Sequence, residues 1–295
     1  MNLANKYPFE NVVFEGGGVL GVAYQGAWEV LEQHGISSQI KRTCGTSAGT
    51  ISATMISLGY SANDCKEILI NMPFKNFKDG GWLGLWRLFY KYGWYKGDWM
   101  MDYFENQLIA PKTGNPKSTF RDLKEKGFLE LRLVGTNLTR DKSQIFSYHH
   151  TPDMPIGLAM RISTSVPFFF QPVAFDGDCY VDGGVLRNYA ISEFDKHQET
   201  SKSIGFFLKD PNNHPKPITN IVSFKQHFMS AMRNQLYVEI KKEPVDSQRT
   251  IFIDDLGIGS LDFSILPDRR LELMEQGKIA TEKFLKNWDK NHQAI

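Results

Sequence analysis

The chain has 295 residues, 41% of them hydrophobic and 23% charged, with a formal net charge of +1. This is close to the globular average and long enough for one large domain or two smaller ones with a substantial core. The balanced charge lacks the basic excess of a nucleic-acid binder, so no nucleic-acid partner is expected. Cys44, Cys65 and Cys179 are odd in number and widely spaced. They fit neither a disulfide framework nor a zinc or CxxC site, and a reducing interior is the default. The chain opens without a basic stretch followed by an apolar one, and no apolar run reaches about 18 residues. The expectation is a cytoplasmic protein, at most peripheral to a membrane, with export by a route that needs no such leader left open.

In chain order, residues 11–15 read as a short buried strand that Gly16-Gly17-Gly18 breaks. A helix follows from about Val22 to His34, with Ala23, Ala27, Val30 and Leu31 on one face and Gly35 as its cap. A second strand over 39–44 leads through Gly45-Thr46-Ser47-Ala48-Gly49 into a small-residue helix ending near Leu58, with Gly59 as cap. This βαβα opening predicts an α/β fold with a parallel sheet and helices on both faces.

Further strands are expected over 129–135, 204–208 and 250–253, and a hairpin of 173–175 with 179–181 around Asp176-Gly177. Helices are expected over 156–165, 218–242 and 267–288, the last with Pro267 in its first turn. The best linker candidate, 211–217, is short. Strands continue toward both ends, so residues 1–295 are read as a single domain.

Residues 72–104 stand apart. Four tryptophans (Trp82, Trp86, Trp94 and Trp99) alternate there with Lys75, Lys78, Arg87, Lys91 and Lys96. Aromatic and basic residues together suit a bilayer interface. The competing reading makes these aromatics core or lid residues over an acyl pocket.

Gly45-Thr46-Ser47-Ala48-Gly49 matches G-x-S-x-G. A serine on a sharp strand-to-helix turn needs small neighbours two residues away. Its hydroxyl then projects above the sheet, at a helix N-terminus that favours negative charge. The bland alternative is an ordinary glycine-bounded turn. Gly16 to Gly21 fits a dinucleotide fingerprint formally. No Asp or Glu occupies 36–44, where the ribose ligand would stand. The alternative is an oxyanion hole made of bare backbone N–H groups. The loop after the first strand and the elbow after the second share one edge of a parallel sheet, which favours that reading over mere tight packing. Asp182-Gly183-Gly184 follows the apolar Tyr180-Val181 and, taken alone, reads as a turn. No residues show convincing metal-ligand spacing; His149-His150 is the only adjacent histidine pair and reads as a solvated surface pair.

G-G-G-x-x-G, then G-T-S-A-G, then D-G-G, in this order, resembles the patatin-like phospholipase family, in particular its bacterial members. Residues 165–172 (SVPFFFQP), Lys96-Gly97-Asp98 before a helix, and the closing 262–285 region are similar to it as well, so the likeness runs from about Val12 to Leu285. The resemblance implies a three-layer α/β/α fold with a mostly parallel central sheet. It also implies a Ser–Asp dyad without histidine: Ser47 as nucleophile, Asp182 as its acid partner, and Gly16, Gly17 and Gly18 as the oxyanion loop. Fatty-acyl esters of membrane lipids become the expected substrates, hydrolysed in the manner of a phospholipase A or lysophospholipase. Lipid and membrane surface are the expected partners, no cofactor or metal is called for, and an activator is left open. Two positions depart from the family pattern. Leu20 stands where many members carry Arg or Lys and some lipase-type members Leu, and Ala190 where the continuation D-G-G-x-x-x-N-x-P has proline; Asn188 matches.

Two rivals remain. One is an α/β-hydrolase-type esterase with a Ser–Asp–His triad, since His197, His214, His227 and His292 all follow Asp182. The other is a catalytically idle lipid-binding module of the same fold.

Overall fold

The computed structural model describes residues 6–197, 202–209, 217–219 and 221–292. His214 and nearly all of the expected linker lie outside the described residues, as do the side chains of His197 and His292.

Ten strands are described: β1 (Asn11–Phe14), β2 (Arg42–Thr46), β3 (Gly93–Tyr95), β4 (Glu130–Asn137), β5 (Lys142–Ser147), β6 (Phe168–Phe170), β7 (Val173–Phe175), β8 (Asp178–Asp182), β9 (Ser203–Lys209) and β10 (Thr250–Asp254). Eight form one sheet in the order β10-β9-β1-β2-β4-β8-β7, with β5 also on β4. β10, β9, β1, β2 and β4 pair in parallel. β5, β8 and β7 are added through antiparallel pairings.

The period of two along β1 shows why both faces need cover. Val12 and Phe14 enter the larger core and Val13 the smaller one on the other face. The helices Ala23–Gln33, Gly49–Ser57 and Pro267–His292 fill the larger core. Leu236, Tyr237 and Ile240 of the helix Ile221–Lys242 cover the smaller, beside Ile191 and Phe194. The architecture is the expected three-layer α/β/α arrangement, with the expected hairpin turning at Asp176 (φ +49°) and Gly177 (φ +78°).

Three expectations are adjusted. The second strand starts at Arg42, because Ser37–Gln39 makes a 3-10 turn. β5 went unanticipated, being a short strand with four polar residues among its six. β3 and β6, three residues each, form a separate parallel pair that only tertiary contact defines.

That small sheet joins the 72–104 excursion to the rest. Asp79 caps the helix Asp98–Tyr103, its carboxylate accepting from the amides of Gly97 (2.6 Å), Asp98 (3.0 Å) and Trp99 (3.1 Å). Arg161, on the helix Ile156–Ser163, donates to the carbonyls of Lys96 and Gln171 and to Ser165 Oγ. Burial pushes its guanidinium pKa down to about 10, a measure of how little water reaches it. Arg161→Met leaves those acceptors unpaired and is expected to cost about 2–4 kcal/mol in denaturant unfolding. Arg161→Lys, a point charge without the planar fork, should recover only part of it.

Candidate active site

Ser47 follows β2 directly, with φ +49° in the left-handed region that a side chain adopts only under constraint. The G-x-S-x-G spacing supplies the room. A Cβ at Gly45 would collide with the Gly49 carbonyl, and one at Gly49 would sit 2.6 Å from the carbonyl oxygens of Phe14 and Glu15. Ser163 holds the elbow from below: its Oγ accepts from the Ser47 amide (3.0 Å) and donates to the Val134 carbonyl (2.5 Å). Nothing in the sequence marked Ser163, which looked like one more small residue of its helix.

Asp182 arrives from the other direction. β2 ends opposite β4 at Thr46↔Val134, and β8 pairs with β4 from Gly135↔Asp182 onward. β5 already occupies the opposite edge of β4, so β8 takes over the edge that β2 leaves. The residue after β2 and the last residue of β8 therefore meet. Ser47 Oγ donates straight to Asp182 Oδ2 at 2.6 Å, and Asp182 Oδ1 accepts from the Gly184 amide at 2.7 Å. Both side chains are buried. Burial pushes the Asp182 pKa up to about 7, while its bonds from Ser47 and Gly184 pull it down.

The glycine loop lies beside Ser47: a Cβ on Gly16 would come 2.9 Å from Ser47 Cβ. The three glycines are not equivalent, however. The Gly16 amide, expected among the oxyanion donors, donates to the Asn188 carbonyl at 3.1 Å. Among the described residues the amides of Gly17 and Gly18 have no hydrogen-bond partner. Gly18 takes φ +57°, and the Ser260 carbonyl leaves no space for a Cβ there. Leu20 is fully buried.

The histidines whose side chains are described lie elsewhere. His227 Nδ1 contacts the Ser223 carbonyl, His34 Nδ1 that of Val30, and His150 Nδ1 meets Ser147 Oγ. His149 faces Glu130 at 3.7 Å.

The 72–104 segment divides between its two readings. Phe74, Phe77, Met100 and Phe104 are core. The helix Gly84–Lys91 turns its apolar residues outward instead: Leu85, Trp86, Phe89 and Tyr90 are exposed, flanked by Tyr92 and by Trp82 at 86% exposure. Arg87, expected among the interfacial cations, is buried and donates to the carbonyls of Gly80 and Trp94, both at 2.7 Å. The segment stands next to the site. β3 pairs with β6, close in sequence to Ser165, whose carbonyl accepts the Asp182 amide at 3.0 Å. Phe77 packs on Phe263, just beyond Ser260, whose carbonyl accepts the Val19 amide at 3.0 Å. No helix among the described residues is long and apolar enough to cross a membrane.

The family model described as patatin-like phospholipase matches residues 12–195. The chain is 32% identical to the uncharacterized protein YqhO of Bacillus subtilis, over 94% of this chain and 98% of that one. It is 28% identical to the probable lipid hydrolase 463L of invertebrate iridescent virus 6, over 64% of each chain. In fold it is similar to VipD of Legionella pneumophila, with a TM-score of 0.66 at 16% identity over 95% of this chain and 67% of VipD. It is also similar to ExoU of Pseudomonas aeruginosa, with a TM-score of 0.55 at 18% identity over 96% of this chain and about half (53%) of ExoU. By its matched sequence and its layered fold, the chain belongs to the patatin-like phospholipase family.

Proposed function

We propose that the protein is a lipid acyl hydrolase of the phospholipase A or lysophospholipase type, with Ser47 as nucleophile and Asp182 as its base. The direct 2.6 Å bond from Ser47 Oγ to Asp182 Oδ2 carries this reading. An ordinary carboxylate, with a pKa near 4, is a weak base at neutral pH, and burial that lifts Asp182 to about 7 makes it a better one. Asp182 takes the Ser47 proton as Oγ bonds to the acyl carbonyl carbon. The carbonyl electron pair moves to oxygen, where the amides of Gly17 and Gly18 stabilise it. The tetrahedral species collapses, the C–O bond to the alcohol breaks, and Asp182 returns the proton to the leaving alkoxide. Water then attacks the acyl-enzyme, losing a proton to Asp182, which passes it back to Ser47 as the fatty acid departs. The membrane surface is met through the outward-facing aromatics around the helix Gly84–Lys91, an apolar face too concentrated to be incidental.

Asp182→Asn keeps the shape and removes the base, so ester hydrolysis should fall by about 10²–10⁴-fold, as it should for Ser47→Ala. Alanine at His197, His214, His227 or His292 should leave most activity. A folded histidine variant as inactive as Ser47→Ala would replace the dyad with a triad.

The kcat/KM for a short soluble ester should rise with pH and reach half its plateau near about 7, where Asp182 loses its proton. A flat profile between about pH 5 and about pH 9 would remove Asp182 as the base.

Stability should move the other way. The folded state holds the Asp182 proton up to about pH 7 and the unfolded chain only to about 4, so the folded form loses stability as pH rises between them. Asp182→Asn should therefore melt higher than wild type at about pH 8, with a gap that narrows toward about pH 5. A lower Tm at both values would contradict the burial cost.

Trp82→Ala with Trp86→Ala should weaken vesicle binding by about tenfold or more and spare hydrolysis of the soluble ester. Equal losses on both would return these tryptophans to the fold.

A further inference from the structure

Glu15, the residue before the glycine loop, is completely buried, and the mechanism above gives it no part. In an unbroken parallel ladder the Leu208 amide would donate to the Glu15 carbonyl. Instead that carbonyl accepts from Tyr24 Oη (2.8 Å), and the Leu208 amide goes to the Glu15 carboxylate (Oε2, 2.7 Å). The other carboxylate oxygen accepts from Asn188 Nδ2 at 3.0 Å. Asn188 grips Gly16 twice: Nδ2 also donates to the Gly16 carbonyl (3.1 Å), and the Asn188 carbonyl accepts the Gly16 amide (3.1 Å). Its amide oxygen faces the Asp182 loop, where a Cβ on Gly184 would sit 2.6 Å from Asn188 Oδ1. Asn188 is thus wedged between the glycine loop beside Ser47 and the turn that donates to Asp182.

The Gly16 carbonyl can only accept, and both Glu15 oxygens accept as well, from Leu208 and from Asn188, so the Asn188 amide is held in one orientation, nitrogen toward Glu15 and Gly16. We infer that Glu15 is a positioning residue for the hydrolysis: by fixing the Asn188 amide, it holds the glycine loop in place against Ser47 and the Asp182 turn. The inference rests on the Ser47–Asp182 reading with Gly17 and Gly18 as oxyanion donors.

Glu15→Gln is nearly isosteric but carries one donor. Keeping the Leu208 bond points the new NH2 at Asn188, whose amide must turn over and release the Gly16 carbonyl. The test compares wild type, Glu15→Gln, Asn188→Ala and the double variant on p-nitrophenyl butyrate, with Tm recorded for each. Each single variant should lose about 10- to 100-fold in kcat with KM nearly unchanged, as expected when a loop near the reacting atoms shifts. The double variant should be no worse than the worse single one, since both changes act through one amide. Wild-type kcat in Glu15→Gln would overturn the inference, and so would losses that multiply in the double variant. Unfolding of Glu15→Gln at a temperature where Asn188→Ala is folded would also overturn it, by assigning Glu15 to the sheet alone. A wild-type protein inactive on esters and lipids, or Ser47→Ala with full activity, would instead remove the hydrolase reading and this inference with it.

Discussion

At Val134 and Gly135, one neighbour of β4 ends and another begins, and the site depends on that seam. β2 runs parallel to β4 and stops at Val134; β8 runs antiparallel along the same edge and stops at Gly135. Two strands thus meet head to head, and the residues at the junction, Ser47 and Asp182, come into hydrogen-bond contact. The Val134 carbonyl anchors Ser163, which in turn holds the Ser47 amide. Register is the sensitive quantity. A slip of β8 by one residue would send Asp182 to the other face of the sheet and bring Val181 to the serine.

Two acids are buried near this seam, in different company. Asp182 has a hydroxyl and one amide and no cation among its partners, and its pKa is pushed up to about 7. Glu15 is pushed up to about 8 by burial, against the pull of Arg233, the Leu208 amide and Asn188. Neither arrangement is one that stability alone would favour, because a buried carboxylate is costly unless fully paired. In the proposed mechanism a raised pKa at Asp182 makes it a better base for Ser47.

Much of this could be read from the chain. The elbow at Ser47 and the triple-glycine loop need residues without side chains at fixed offsets, and such needs leave a local trace; Asp182, a turn by itself, was singled out only by the resemblance of the three motifs in order to a known family. The layers followed from strand and helix periodicity. What could not be read depends on distant contacts. Ser163 is one serine among several, and its role exists only because β4 passes beneath the elbow. Gly16 looked equivalent to Gly17 and Gly18 until the Asn188 carbonyl was placed opposite its amide. Glu15 read as the end of a strand, since the departure of the chain from the ladder does not show in residue types. The 72–104 segment had one composition and two fates, because aromatic residues serve a core and an exposed apolar face equally well.

The strand order also governs how the molecule can be made. β1 leaves the ribosome before both of its neighbours, β2 and β9, and β9 begins only at Ser203. Until then one side of β1 has no strand to pair with, an open edge of the kind that recruits other chains. The brace on the glycine loop comes later still, with the Ser260 carbonyl. A growing chain therefore carries its serine motif well before it can complete the loop beside it, which waits for Ser260. Such long-range closure is slow and makes assembly of the site one of the last events of folding.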